Sequence, residues 1–316
     1  MSEKTHDDES AEYESRVGTS YMLSRLLKDT SARISLVFIV IISAMALFAF
    51  VDAELLDYRL AEAYLYHPLN AGSGARPLLP PVGLSNQFGD GVWAHPLGTD
   101  TRGRDIAVRL LYGSRIAIQI ALISTTIGVV VGTVVGAVSG YYGGWIDDVS
   151  MRLIEVLYSI PFLVLVIAFM AAFGRDLIYA MVGVSLISIP IFARLIRSEV
   201  LSIREETYVE AARAAGVKDR NILRRHVIPN SFAPIVVQTT LQMGTNILIV
   251  AGLSFLGFGA QPPTPSWGQM LSIARNYMLP APWFSIWPGI AILVTVMAFN
   301  ILGDGLRDTL DPRLKN

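Results

Sequence analysis

The chain is dominated by apolar runs too long for the core of an ordinary soluble domain. Ile34 to Val51 carries no charged residue. As a helix rising 1.5 Å per residue it would reach about 27 Å, close to the ~30 Å hydrocarbon thickness of a bilayer. Five further runs follow at about 116–138, 151–173, 177–195, 235–256 and 287–302. In hydrocarbon the backbone must satisfy its own hydrogen bonds, so runs of this length read as helices. The expected fold class is an all-α membrane protein with six transmembrane helices.

Composition supports this. Of the 316 residues 53% are hydrophobic and 16% charged, well below the ~25% charged content of soluble domains. There is no cysteine, hence no disulfide framework, thiol nucleophile or thiolate metal site. The four histidines, His6, His67, His95 and His226, are too scattered for metal-ligand spacing. No phosphate-binding loop occurs, since none of the four lysines follows a glycine. The chain is therefore not expected to be an enzyme or to bind ATP itself, and no metal site, resident cofactor or nucleic-acid partner is expected.

Residues 1–33 turn from acidic to basic and read as a solvated tail leading to a retained anchor rather than a cleaved signal. The segment 52–115 is rich in Pro and Gly in its middle and should be irregular. Asp100 and Thr101 suit a turn, with a helix following from about Gly103. Gly128, Gly132, Gly136 and Gly140 recur every four residues, a spacing that suits close helix packing or gating. Arg152 and Glu155, three apart at the start of the third run, suit a structural or gating pair. Ser266 and Gln269 fit a capping box opening a short helix that would lie along the membrane interface. Residues 304–316 form a polar helix-and-turn tail.

Six spans put both termini on one side. On that topology about two-thirds of the 25 lysines and arginines fall in the two tails and the loops 139–152 and 194–230. The positive-inside rule then places these in the cytoplasm, with 52–115 and 257–285 outside.

The largest inside loop is EETYVEAARAAGVKDRNILRRHVIPNSFAP, Glu205 to Pro234. Glu199 to Ala215 suits one helix, stopped by Gly216. Asp219 could cap a second helix, Arg220 to Val227, with Ile222, Leu223 and Val227 as its apolar face. Pro229 should break the run before the fifth span. A solvated surface loop and a partner-gripping plug both fit this pattern.

Glu210-Ala211-Ala212, Gly216 and Ile228-Pro229 have the spacing of the EAA loop of ABC importer membrane subunits. His226 stands where that pattern has Ile, and Ile228 where it has Leu. HPLGTDTRGRD from His95, Leu253 to Leu271 and Phe299 to Leu314 resemble the C-type permease subunits of dipeptide, oligopeptide and nickel importers. The resemblance covers most of the chain from His95 on. It implies a type I ABC importer permease fold in the prokaryotic plasma (inner) membrane. It also implies a second homologous permease subunit, two ATPase subunits holding ATP and magnesium, and an extracytoplasmic substrate-binding protein. The cargo implied is di- or oligopeptides, with nickel chelates or sugars as alternatives. By position, Glu210, Ala211, Ala212 and Gly216 should shape the coupling loop. Val217, Lys218, Asp219, Arg220, Ile222 and Leu223 should sit in the ATPase groove, with Pro229 closing the loop. Arg102, Arg104 and Trp267 are candidates for contact with the binding protein, the 95–115 segment otherwise folding against the spans. An ATP-independent secondary transporter is disfavoured because the deep parts of most spans lack ionisable groups. An intramembrane protease is disfavoured because its motifs are missing.

Overall fold

A computed structural model describes residues 26–71 and 76–310. The expectations for most of the first tail and for the last six residues lie outside the described residues. Among the described residues five helices are long and apolar enough to cross a membrane. They are α1 (Thr30–Glu54), α3 (Ile106–Tyr142), α6 (Leu177–Arg204), α10 (Phe232–Phe255) and α12 (Trp283–Leu310). Each matches one expected apolar run and extends beyond it at one end or both, α10 stopping one residue short of the run's end at Leu256. At 37 residues α3 is about 55 Å long, so it projects from the bilayer. The expected polar tail after 303 is helical as far as Leu310.

The third run departs from expectation. It is two helices, α4 (Gly144–Ser159) and α5 (Phe162–Phe173), bent by 91°. The cause is local. Pro161 has no N–H to donate, and its ring disfavours the α region for Ile160, which is extended at φ −80°, ψ 126°. The apolar run 151–173 is continuous in sequence but broken in backbone.

The helices α3 and α6 meet along the glycine row. A Cβ on Gly128 would stand 2.4 Å from the Ser188 Cβ. On Gly132 it would meet the Phe192 Cβ at 2.6 Å, on Gly136 the Ala193 carbonyl oxygen at 2.3 Å, and on Gly140 the Arg197 carbonyl oxygen at 2.9 Å. These glycines pack two backbones together, as small residues do where helices meet in lipid.

Between α1 and α3 the chain is more ordered than its Pro and Gly content suggests. A short helix, α2 (Arg59–Tyr64), precedes a two-residue hairpin of β1 (Ser85–Asn86) and β2 (Gly89–Asp90). Two buried carboxylates hold the segment. Asp52 accepts the Leu60 and Ala61 N–H groups at 2.8 and 3.1 Å and the Tyr112 hydroxyl. Asp100 accepts the Arg104 Nε–H at 2.7 Å and faces Arg109 at 3.5 Å, while Arg109 donates to the Pro68 carbonyl at 2.7 Å. Asp105 caps α3 by accepting the Val108 N–H at 2.8 Å, so that helix begins three residues after Gly103.

The short helix after the fifth span is α11 (Trp267–Ala274), and one of its faces packs into the protein. Trp267, Met270 and Ala274 are buried against Ile106, Trp283 and Phe284. Ser266 accepts the Gln269 N–H at 3.3 Å. The Gln269 amide does not return to Ser266, so the capping box is half formed.

Candidate functional site

The loop between α6 and α10 is built from four short pieces. The helix expected over Glu199–Ala215 is interrupted: α6 runs to Arg204, Glu205 leaves the helical region, and α7 (Thr207–Ala214) starts anew. α7 ends in a left-handed corner. Gly216 has φ +77°; its N–H reaches the Arg213 carbonyl at 3.0 Å, and the Val217 N–H reaches Ala212 at 3.1 Å. These two bonds make a Schellman cap, which needs a residue able to hold positive φ.

α8 (Asp219–Ile222) follows, with Lys218 rather than Asp219 in the cap position. The Asp219 carboxylate is engaged elsewhere, accepting the Tyr141 hydroxyl at 2.7 Å. A π-helical turn (Leu223–Val227) leads into α9 (Ile228–Asn230). Pro229 therefore does not end the helical path. The wider turn lies where the Arg225 carbonyl would otherwise meet the proline ring, and the Ile228 N–H bonds Leu223 five residues back.

Burial divides the loop into an anchor and a surface. Val209, Ile222 and Val227 are fully buried with Ala137, Tyr141, Ile196, Val200 and Ile235, and Leu223 and Ala212 pack against them. Ile222 thus holds the loop to α3 and α6 and is not available to a groove on another protein, while Leu223 packs on the same cluster and stays partly exposed. What faces outward is Glu210, Ala211, the corner at Gly216, Val217, Lys218, Asp219 and Arg220. Pro229 is exposed behind them.

Polar contacts tie this end of the spans together. Arg197 clamps Asp147 through two bonds of 2.6 and 2.5 Å, and the same carboxylate accepts the Ser139 hydroxyl. Arg204 donates to the last carbonyls of α3, Gly140 at 3.4 Å and Tyr141 at 3.2 Å, favourable for a cation at a helix C-terminus. Arg213 lies 5.8 Å over the Tyr141 ring, and its pKa is raised by the Tyr141 hydroxyl, so it stays charged. Tyr141 touches both α7 and α8 from the end of α3.

Other expected residues fall elsewhere. Arg152 and Glu155 are both exposed on α4 and form no ion pair with each other. The pair at this end is Asp147–Arg197, whose partners lie 50 residues apart and give no local spacing signal. Arg102 is exposed, but Arg104 and Trp267 are 4% exposed. Arg104 is held by Asp100, and the Trp267 indole donates to the Leu110 carbonyl at 2.9 Å. Neither offers its side chain to a docking protein; Arg104 holds the 95–115 segment together, and Trp267 ties α11 to the start of α3. Sequence reasoning missed a buried amide knot. Asn246 on α10 donates to Thr125 on α3 at 3.0 Å and to Ser188 on α6 at 3.3 Å, while Gln242 donates to it at 2.9 Å. Two amides four apart in the apolar run 235–256 were its signal.

Residues 132–316 match the family described as binding-protein-dependent transport system inner membrane component. A dipeptide transport system permease protein of Alkalihalophilus pseudofirmus is 44% identical over 222 residues, 70% of this chain and 73% of that protein. Glutathione transport system permease proteins of Pectobacterium atrosepticum and Escherichia coli are 45% and 47% identical over 223 and 221 residues, covering 71% and 70% of this chain and 74% and 73% of theirs. In three dimensions the chain is similar to the inward-facing MetNI methionine ABC transporter, with a TM-score of 0.54 at 22% identity over 65% of this chain and 98% of that one. A similar likeness, 0.51 at 19% identity, links it to an amino acid ABC transporter over 65% of this chain and 95% of that one. These likenesses give the fold, that of a type I ABC permease subunit.

Proposed function

Because the chain belongs to the family of binding-protein-dependent transport system inner membrane components, we propose that it forms half of the path of an ATP-driven importer of di- or oligopeptides. The peptide assignment rests on the dipeptide and glutathione permeases it is similar to. A separate binding protein delivers cargo to the outer side, and a second permease subunit completes the path. Two ATPase subunits hold ATP and magnesium. The chain sits in the inner membrane with both termini and the 205–231 loop in the cytoplasm, as its basic loops favour.

The observation that carries the reading is the loop's division into anchor and surface. Ile222, Val209 and Val227 fasten it to α3 and α6, while the Gly216 corner and the Val217–Arg220 strip stand outward. A force applied to the strip is thus passed to Tyr141 and to the Asp147–Arg197 clamp. Closure of the ATPase pair moves the loop, and the clamped helices move with it, shifting the path between two states.

Replacing Gly216 by Val tests this. Positive φ is strained for a β-branched residue, at about 1–3 kcal/mol, and the corner must open. The expected result is loss of uptake with membrane insertion intact, in vesicles holding the reconstituted complex and labelled dipeptide. Normal ATP-driven uptake by the variant would sink the coupling assignment. Failure to accumulate dipeptide or glutathione in the wild-type vesicles would remove the peptide assignment and leave the coupling one.

A further inference from the structure

A groove of about 510 Å³ runs between α1 and α3, outside the coupling end and the amide knot. Its floor is Ala46, Ala121 and Phe299, all buried, and Leu47, Phe50 and Leu122 stand exposed at its rim. On α1 the lining runs from Ile39 to Phe50, twelve residues whose ends lie about 16 Å apart along the helix. That is the depth of one leaflet, half of the ~30 Å hydrocarbon core. The side chains Ser43, Ala46 and Ala121 that line both walls are small.

The polar groups sit at one end and in a definite order. Glu54 and Arg115, just beyond the apolar runs 34–51 and 116–138, are paired at 2.9 Å. Glu54 is half exposed, and Arg115 lines the groove mouth. One helical turn deeper, about 6 Å, the Gln119 amide also lines the groove and makes no hydrogen bond among the described residues. From the mouth inward the groove therefore offers a cation, an amide donor and then hydrocarbon, and the anion Glu54 stands beside the mouth through its pairing with Arg115.

We propose that this groove holds one phospholipid of the phosphatidylethanolamine type in the leaflet on the side of residues 52–115. Its ammonium meets Glu54, its phosphate meets Arg115, an ester carbonyl accepts from Gln119, and one acyl chain lies between α1 and α3. The mouth is an ion pair of no net charge, so it complements a zwitterionic headgroup rather than an anionic one. Charge-assisted contacts at a half-desolvated interface add to the burial of the chain. The assignment rests on the membrane-spanning architecture and not on the cargo.

Native mass spectrometry of the intact importer complex tests it, with phosphatidylethanolamine or phosphatidylglycerol of matched chain length titrated in. The wild-type chain is expected to retain one phosphatidylethanolamine in preference to phosphatidylglycerol. Arg115→Gln should weaken retention of both about tenfold, the worth of one charge-assisted contact. Glu54→Gln should abolish the preference for the amine while leaving phosphatidylglycerol bound. Ala46→Phe should fill the slot and displace both lipids. If that variant does not assemble, Gln119→Leu, which leaves the floor untouched, should weaken both lipids without changing the preference. Retention unchanged in Arg115→Gln and Glu54→Gln would overturn the assignment. So would efficient cross-linking of Leu47→Cys, a unique thiol in a chain without cysteine, to the second permease subunit, since a protein helix would then fill the groove. ATP-driven uptake, measured in the same preparations, reports on transport and not on this site.

Discussion

Ile222 lies in the most charged loop of the chain and has no exposed surface. Its burial with Val209, Val227 and Ile235 makes it the nail that holds the loop to the spans. Ile222→Ala should cost about 2–4 kcal/mol, the range for a buried aliphatic cut to a methyl. Because the cost falls on the loop's attachment, uptake should fall more steeply than the amount of complex in the membrane, measured as transport rate per assembled importer. Equal declines in the two would mean that Ile222 serves only folding. Tyr141→Phe removes the hydroxyl that Asp219 accepts at 2.7 Å but keeps the ring under Arg213. It should cost about 0.5–1.5 kcal/mol and be visible as earlier proteolysis within 207–222. Gly216 and Ile222 also show what a sequence can and cannot declare. A helix stop at Gly216 is local chemistry, and the structure places a left-handed corner there. An apolar residue on a short helix is as good a docking knob as an anchor, and periodicity names the face without naming what covers it.

The helix pair α3–α6 is fixed by absence of side chains, which makes its glycines unequal to others in the chain. A methyl on Gly132 would meet the Phe192 Cβ at 2.6 Å and the Ile189 carbonyl oxygen at 2.8 Å, neither of which can rotate away. A methyl on Gly289, in α12, meets nothing within 4 Å. Gly132→Ala should therefore lower the thermal midpoint by an amount equivalent to about 1–3 kcal/mol, the penalty of overpacking. Gly289→Ala should be neutral or raise stability by up to about 1 kcal/mol through helix propensity. Thermal unfolding of the two variants in detergent decides, and equal behaviour would mean that the helices are not locked at Gly132. The four-residue glycine spacing was legible in sequence because the helix period alone puts those residues on one face. The break at Pro161 was written in the same alphabet, but twelve apolar residues after it made the run look continuous. Arg104 and Trp267 were misjudged for a different reason. A charge and a large aromatic near a loop look like surface; Arg104 is turned inward by Asp100 four residues before it, and Trp267 by the Leu110 carbonyl 157 residues away.

Across the whole molecule the loop and the opposite face can communicate only if the spans move together. α3 and α6 are one body by their packing, and Asp147 and Arg197 bring the start of α4 to it. α10, which continues directly from the coupling loop, is joined to that body deep in the spans by Asn246. Asn246 is fully buried, and three side chains lose a partner if it is replaced. Asn246→Leu keeps the count and branching of the side-chain heavy atoms and removes the knot. Interhelical hydrogen bonds in membranes average about 0.6 kcal/mol, so the variant should assemble with nearly the wild-type thermal midpoint. Its effect on coupling should be larger, because α10 can then follow the loop without carrying α3 and α6. Coupling energies of 1–3 kcal/mol correspond to changes of about 5–150-fold. The expected outcome is ATP hydrolysis by the complete importer at close to the wild-type rate with cargo moved per ATP reduced roughly tenfold. Asn246→Gln can still donate to Thr125 or Ser188, and should restore part of the yield. If Asn246→Leu transports with the wild-type ratio of cargo to ATP, the knot is packing alone, and the loop must act on the path through Tyr141 and the α3–α6 pair without α10.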